Sequence, residues 1–170
     1  MEIPLKEDSP KSPVIIYGVS KLTAEMYAKG YVQEYGMDIN PVRLFNVYGP
    51  GQDFEWVMPI FIQKVLNDES PVVFGDGSQV RCFTYITDVV SGMETVRKKG
   101  AKGEPYNIAN TDQITMKGLA EMIIKISGRN LKLKIAGFGK ETRTKEREIM
   151  KRVPSIEKLK TLGWKPQVNA

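Results

Sequence analysis

The reading of the fold turns on residues 16–36, Ile16-Tyr17-Gly18-Val19-Ser20-Lys21-Leu22-Thr23-Ala24-Glu25-Met26-Tyr27-Ala28-Lys29-Gly30-Tyr31-Val32-Gln33-Glu34-Tyr35-Gly36, together with the Ile39-Asn40-Pro41-Val42-Arg43-Leu44-Phe45 that follows. From Tyr17 to Tyr35 the apolar residues Leu22, Met26, Tyr27, Tyr31 and Val32 recur near helical spacing, and Gly36 supplies a C-terminal stop. Ile39–Phe45 reads as a short strand, its proline near the start, where a missing backbone donor is tolerable. A helix joined by a short turn to a strand is the αβ half of a βαβ unit. The expected class is therefore α/β, with a partial parallel sheet.

Working outward, residues 1–14 hold Pro4, Pro10 and Pro13 and read as an extended loop. Beyond the strand, Asn46–Gln52 is a loop by its Gly-Pro-Gly punctuation. A helix over Met58–Asn67, a strand over Pro71–Phe74, a tight turn at Gly75–Ser78 and a strand over Val80–Tyr85 are expected next. Asp88–Lys99 reads as a helix, capped near its start by Asp88 and basic at its end. Tyr106–Ala109 is a strand candidate. Thr115 is expected to cap a helix that runs through Ser127 and closes at Gly128. Leu131–Ala136 alternates apolar and basic residues, as a half-exposed strand does. A basic, loop-like stretch leads to a last helix over Ser155–Leu162. Trp56 and Trp164 read as packing residues, and Cys82 as a small buried side chain.

The bulk properties exclude several classes of chemistry. With 170 residues, 41% of them hydrophobic, the chain is large enough for its own core. The net charge of +5 comes largely from late residues such as Lys132, Lys134, Lys140, Arg143, Arg147 and Arg152. That excess suits a small anionic ligand. Charge is the only feature that favours nucleic acid, which is not the expected partner. The single cysteine rules out an internal disulfide and points to a reducing, cytoplasmic compartment. The absence of histidine removes His-based triads, most zinc sites and the commonest general base. No apolar run approaches the roughly 20 residues that span a bilayer.

Tyr17 and Lys21 place a phenol and an ammonium one turn apart on the same helix face. A phenol serves as a base only when its pKa is pulled down, and a nearby ammonium stabilises the phenolate. Chance produces this spacing often, so its neighbours matter. Ser9-Pro10 and Pro13 precede Tyr17, and Ser20-Lys21-Leu22-Thr23-Ala24-Glu25 follows it. This segment resembles the "P-x-x-x-Y-G-x-S-K-x-x-x-E" of extended short-chain dehydrogenases/reductases, and more specifically of the NAD-dependent epimerase/dehydratase family, which acts on nucleotide-linked sugars. The resemblance continues in order. Arg43–Pro50 is similar to "R-x-x-N-x-Y-G-P", and Gly75–Val89 to "G-D-G-x-Q-x-R-x-F-x-Y-V-x-D". Tyr106-Asn107-Ile108 with Asn110, and Leu162-Gly163-Trp164-Lys165-Pro166, look like the family's "Y-N-I-G" and "L-G-W-x-P". Chance explains any one of these matches, not all five.

The resemblance implies roles. Tyr17 would take a proton from a sugar hydroxyl as hydride leaves the sugar for NAD. Lys21 would hold the nicotinamide ribose, with Phe45 also at the cofactor. Asn46 would contact the sugar diphosphate, and Val72 and Phe74 would form the strand against which the nucleotide base lies. Arg81 matches the arginine that clamps the diphosphate, where a planar fork suits phosphate oxygens. A second arginine is expected before "L-G-W-x-P". Arg143, Arg147 and Arg152 compete for that place, with Arg147 preferred. The implied substrate is a UDP- or dTDP-sugar. Residues 1–48 would be a residual part of the Rossmann domain. Residues 49–170 would bind mainly substrate, with 85–110 returning to the Rossmann sheet.

One landmark of the family is missing. Gly49-Pro50-Gly51, Gly75-Asp76-Gly77 and Gly137-Phe138-Gly139 each lack the third glycine of a dinucleotide fingerprint. The expectation is a C-terminal, substrate-binding part that is inactive alone. The alternatives are a stand-alone binding module and one subunit of a split enzyme. Parallel strands without neighbours expose an edge, so self-association, a partner N-terminal half or a rearranged edge is also expected.

Overall fold

The helix read from Tyr17 is the first element of the structure, a computed structural model that describes residues 3–137 and 148–169. It is α1, Ile16–Tyr35, and it stops at Gly36, whose φ of 65° suits glycine and whose N–H donates to the Val32 carbonyl. The strand that follows, β1, covers only Val42–Leu44. It is shorter than expected because its leading residues bond a loop instead. The Asn40 amide donates to the Ala101 carbonyl at 2.5 Å, and the Gly103 N–H to the Ile39 carbonyl at 2.8 Å. The chain divides into two units, each with its own packing. One contains residues 1–47, 83–111 and 154–170, and the other residues 48–82 and 112–153. The C-terminal stretch 154–170 falls in the first unit. The two-residue strands β2 (Val47–Tyr48) and β5 (Thr84–Tyr85) lie near the points where the chain passes between units.

In the first unit, β1 pairs in parallel with β6 (Tyr106–Ile108), with Arg43 opposite Asn107. Helices α3 (Ile86–Lys99) and α5 (Glu157–Lys160) pack on this pair. Val89, Val96, Tyr106, Ile108, Ala109, Ile156, Leu159 and Trp164 form the core. Trp164 packs as expected, and its indole N–H donates to Ser91 Oγ at 2.9 Å. The close approach of α3 to β6 requires Gly92, since a Cβ there would lie 2.7 Å from Ile108 Cγ2. Buried Glu7, Asn107 and Ser155 are tied to one another. Glu7 accepts from the Asn107 backbone N–H, and the Asn107 side chain donates to the carbonyls of Leu5 and Ser155.

Two expectations are corrected in this unit. Asp88 is not a helix cap: Tyr85 holds that position, and the buried Asp88 accepts from the backbone N–H groups of Gln167 and Val168, both at 3.0 Å. It anchors the C-terminal stretch. The final helix is shorter than Ser155–Leu162: it covers Glu157–Lys160, and the Ser155 N–H before it donates to the Leu5 carbonyl at 2.8 Å.

In the second unit, β3 (Val72–Phe74) pairs in parallel with β8 (Lys134–Ala136), and β4 (Val80–Arg81) pairs antiparallel with β7 (Ile114–Thr115). Helices α2 (Val57–Leu66) and α4 (Met116–Ser127) pack together. Phe61, Val65, Val73, Cys82, Leu119 and Ala120 are buried. Thr115 caps α4 as expected, accepting from the Gly118 N–H at 2.9 Å, and Gly128 closes it with a left-handed φ of 68°. The expected strand over Val80–Tyr85 is broken into β4 and β5 at the buried Cys82-Phe83. After the break, Thr84 belongs to the first unit, where its N–H donates to the Asn46 carbonyl and its hydroxyl to that of Phe45. Trp56 is the other correction. It precedes α2 and is 63% exposed, so it is not a packing residue. Among the described residues, no helix is long and apolar enough to cross a membrane.

Candidate functional site

In the first unit, α1 carries Tyr17 and Lys21. The Lys21 ammonium lies 5.4 Å from the centre of the Tyr17 ring, and Tyr17 is 69% exposed. The helical spacing thus presents a phenol and a cation together on an accessible surface. What fixes this helix is one turn beyond Lys21. Glu25 accepts from Arg43 Nε at 2.6 Å and from Nη2 at 2.8 Å, a two-point fork, while Arg43 Nη1 donates to the Glu7 carbonyl at 2.9 Å. The Arg43 hydrogen bond holds the Glu25 carboxyl below the usual carboxylate range, against the opposing effect of partial burial. The sequence contained both residues inside landmark segments, and nothing in it paired them.

Phe45 is partly buried and packs on the first unit's core. Asn46 follows with φ of 36°, a left-handed conformation that asparagine tolerates better than most side chains. Its carbonyl accepts the Thr84 N–H at 3.1 Å, which fixes the backbone where the strand ends.

In the second unit, β3 alternates. Val73 is buried, whereas Val72 is partly buried and Phe74 is 38% exposed. The carbonyl of Phe74 accepts from Gln79 Nε2 at 2.9 Å, which closes the tight turn between β3 and β4. That turn requires glycine at Gly77, where φ is 76° and a Cβ would meet Lys117 and Val73 at 2.8 and 2.9 Å. The result is an aromatic side chain held on a stiff strand end. Cys82 is buried as expected. Burial, with a smaller push from Asp112, raises its thiol to about 11, so at neutral pH it is no nucleophile.

Arg81 is held rather than loose, with its side chain 13% exposed. Its Nη1 donates to the carbonyls of Ile149 and Val80 at 2.6 and 2.9 Å, and its Nη2 to Glu148 Oε1 at 2.5 Å. The following segment runs beside β4. Val80 N–H donates to the Met150 carbonyl, and Arg152 N–H to that of Val80. Of the three arginines considered for a second phosphate contact, Arg152 flanks the strand of Arg81, and exposed Lys151 sits next to it. Arg143 and the preferred Arg147 lie outside the described residues. Glu148 was not foreseen, because it sits in a mixed-charge run whose partners are not local. Among the described residues, no group of acidic, cysteine or histidine side chains could hold a metal ion.

A sequence profile of the NAD dependent epimerase/dehydratase family matches residues 1–109. The human dTDP-D-glucose 4,6-dehydratase is 35% identical over 163 residues, which is 95% of this chain and 47% of that protein. The crystal structure of UDP-glucose 4-epimerase from Thermotoga maritima with UDP-glucose superposes with a TM-score of 0.90 at 30% identity, covering 99% of this chain and 54% of that one. The dTDP-glucose 4,6-dehydratase of Bacillus anthracis, in complex with NAD, gives 0.85 at 29% identity over 96% of this chain and 51% of that one. The chain spans about half the length of the curated relatives it matches. With the α/β fold and the ordered motifs in place, this chain belongs to the NAD-dependent epimerase/dehydratase family.

Proposed function

We propose that this chain is the substrate-binding, C-terminal part of a nucleotide-sugar epimerase or dehydratase that works by transient oxidation at the sugar C4, and that it is inactive alone. The observation that carries this reading is the exposed Tyr17–Lys21 pair, with the ammonium 5.4 Å from the phenol ring. A base and a cation on one accessible helix face can take a proton from a sugar hydroxyl and hold a ribose. NAD, when bound, supplies the hydride acceptor. Tyr17, Lys21 and Phe45 would face it. Asn46, Val72, Phe74, Arg81 and Arg147 are assigned to the UDP- or dTDP-sugar, the aromatic face of Phe74 to its base and Arg81 to its diphosphate. A partner N-terminal half or a second copy of the chain belongs to the same reading.

Calorimetric titration of UDP-glucose and dTDP-glucose into the chain tests it. Saturable binding that weakens in Arg81→Gln is expected, and absence of binding to either sugar nucleotide overturns the reading. The second reading, a stand-alone nucleotide-sugar binding module, is favoured by the second unit's own buried core and its possession of Val72, Phe74 and Arg81. Binding that survives Tyr17→Phe and Lys21→Ala with no turnover on adding NAD supports it. Turnover on adding a Rossmann half supports the split-enzyme form.

A further inference from the structure

Arg81 is assigned above to an anionic ligand, yet its charge is already answered. The guanidinium offers five N–H donors in a fixed fork. Nη1 is occupied by two carbonyls, those of Val80 and Ile149. Nη2 reaches Glu148 at 2.5 Å. The two side chains are mostly shielded, 13% and 19% exposed. A carboxylate is the only protein group here that mimics a phosphate oxygen in charge and acceptor geometry. An incoming diphosphate would therefore meet a neutralised arginine and a negative charge beside it.

Resting on the assignment of Arg81 to the diphosphate, we propose that Glu148 is a resident carboxylate which a nucleoside diphosphate must displace from Arg81 Nη2. Ligand binding and release of Glu148 are then two sides of one exchange. The two backbone carbonyls keep Arg81 oriented through it, so the arginine need not be reordered when the anion arrives. Glu148 sets the affinity of the site by competition. The carboxylate also gives selectivity: a ligand with one weak acceptor does not displace it, whereas the doubly charged diphosphate does.

The test is calorimetric titration of UDP into the wild-type chain, Glu148→Gln and the double variant Glu148→Gln/Arg81→Gln, with uridine as the phosphate-free probe. Removing a like charge within a few ångströms of a partly shielded site is expected to tighten UDP binding about tenfold in Glu148→Gln. The gain should vanish in the double variant and be absent with uridine. Wild-type binding of UDP with no tightening in Glu148→Gln overturns the exchange and leaves the nucleotide-sugar reading standing. Absence of UDP binding in both chains overturns both. Circular dichroism checks that each variant is folded. If Glu148→Gln is not, the Arg81 Nε–H resonance of the wild-type chain, assigned by its loss in Arg81→Gln, reads the same event. A shift on saturation with UDP supports the exchange, and an unmoved resonance overturns it.

Discussion

Helix α1 buries none of its twenty residues, whereas α3, in the same unit, buries Asp88, Val89, Gly92 and Val96 within fourteen. The two are secured by different physics. Helix α3 lies close against β6 and the Trp164 region, in contacts tight enough to demand a glycine. Helix α1 is tied by the Arg43–Glu25 fork and half-buried residues, and it leaves Met26, Tyr27, Tyr31 and Tyr35 exposed along one face. The difference teaches where each helix can tolerate change. Close packing punishes added volume, while an exposed helix held by charge responds to pH and backbone propensity.

The sharpest way to break this contrast is to make the same substitution in both helices. Gly92→Ala is expected to destabilise by about 3 kcal/mol, because the new methyl meets Ile108 at 2.7 Å and overpacking outweighs helix propensity. Urea unfolding followed by circular dichroism checks it; a midpoint at or above that of wild type would show that α3 is not tightly packed. Next in size is Asp88→Ala. It strands the two backbone N–H groups of Gln167 and Val168, at a cost of about 2 kcal/mol. Hydrogen exchange should localise the loosening to residues 166–169.

Glu25→Gln should cost about 1 kcal/mol at pH 7, because one partner of a partly shielded fork loses its charge. Its pH dependence separates the two helices further. The Glu25 carboxyl is held below its ordinary value in the folded chain. Its contribution is therefore fully present above the ordinary carboxylate pKa and is lost as pH falls through the lowered folded value. Wild-type and Glu25→Gln stabilities measured from pH 7 to pH 3 should converge at the acid end. Parallel curves would remove the fork as the tie of α1. The smallest effect has the opposite sign. Gly30→Ala in α1 meets nothing within 4 Å and should stabilise by about 0.8 kcal/mol through helix propensity alone. A melting temperature below that of wild type would mean that α1 has a close neighbour at Gly30.

Local rules made much of this legible. Helix α1 and its Gly36 stop, the Thr115 cap of α4 and its Gly128 stop, and the tight turn at Gly75–Ser78 all follow from residues within a few positions of one another. The candidate site was readable as residue types in order: Tyr17, Lys21, Asn46, Phe74 and Arg81. What resisted reading depends on distant partners. Asp88 looked like a helix cap because its true partners are 79 and 80 residues away. The Val80–Tyr85 strand broke because its second half bonds Phe45 and Asn46. Trp56 and Trp164 differ in burial, 63% against 5% exposed, although nothing in composition separates them.

By itself the sequence determined the α/β class, the main helices and their stops, and the family, because helical periodicity, capping and motif order act over short distances along the chain. Only the tertiary structure decided which charges meet. Arg43 finds Glu25 across 18 positions and Arg81 finds Glu148 across 67. A salt bridge needs two groups within a few ångströms, and chain separation says nothing of that distance until the strands and helices have packed.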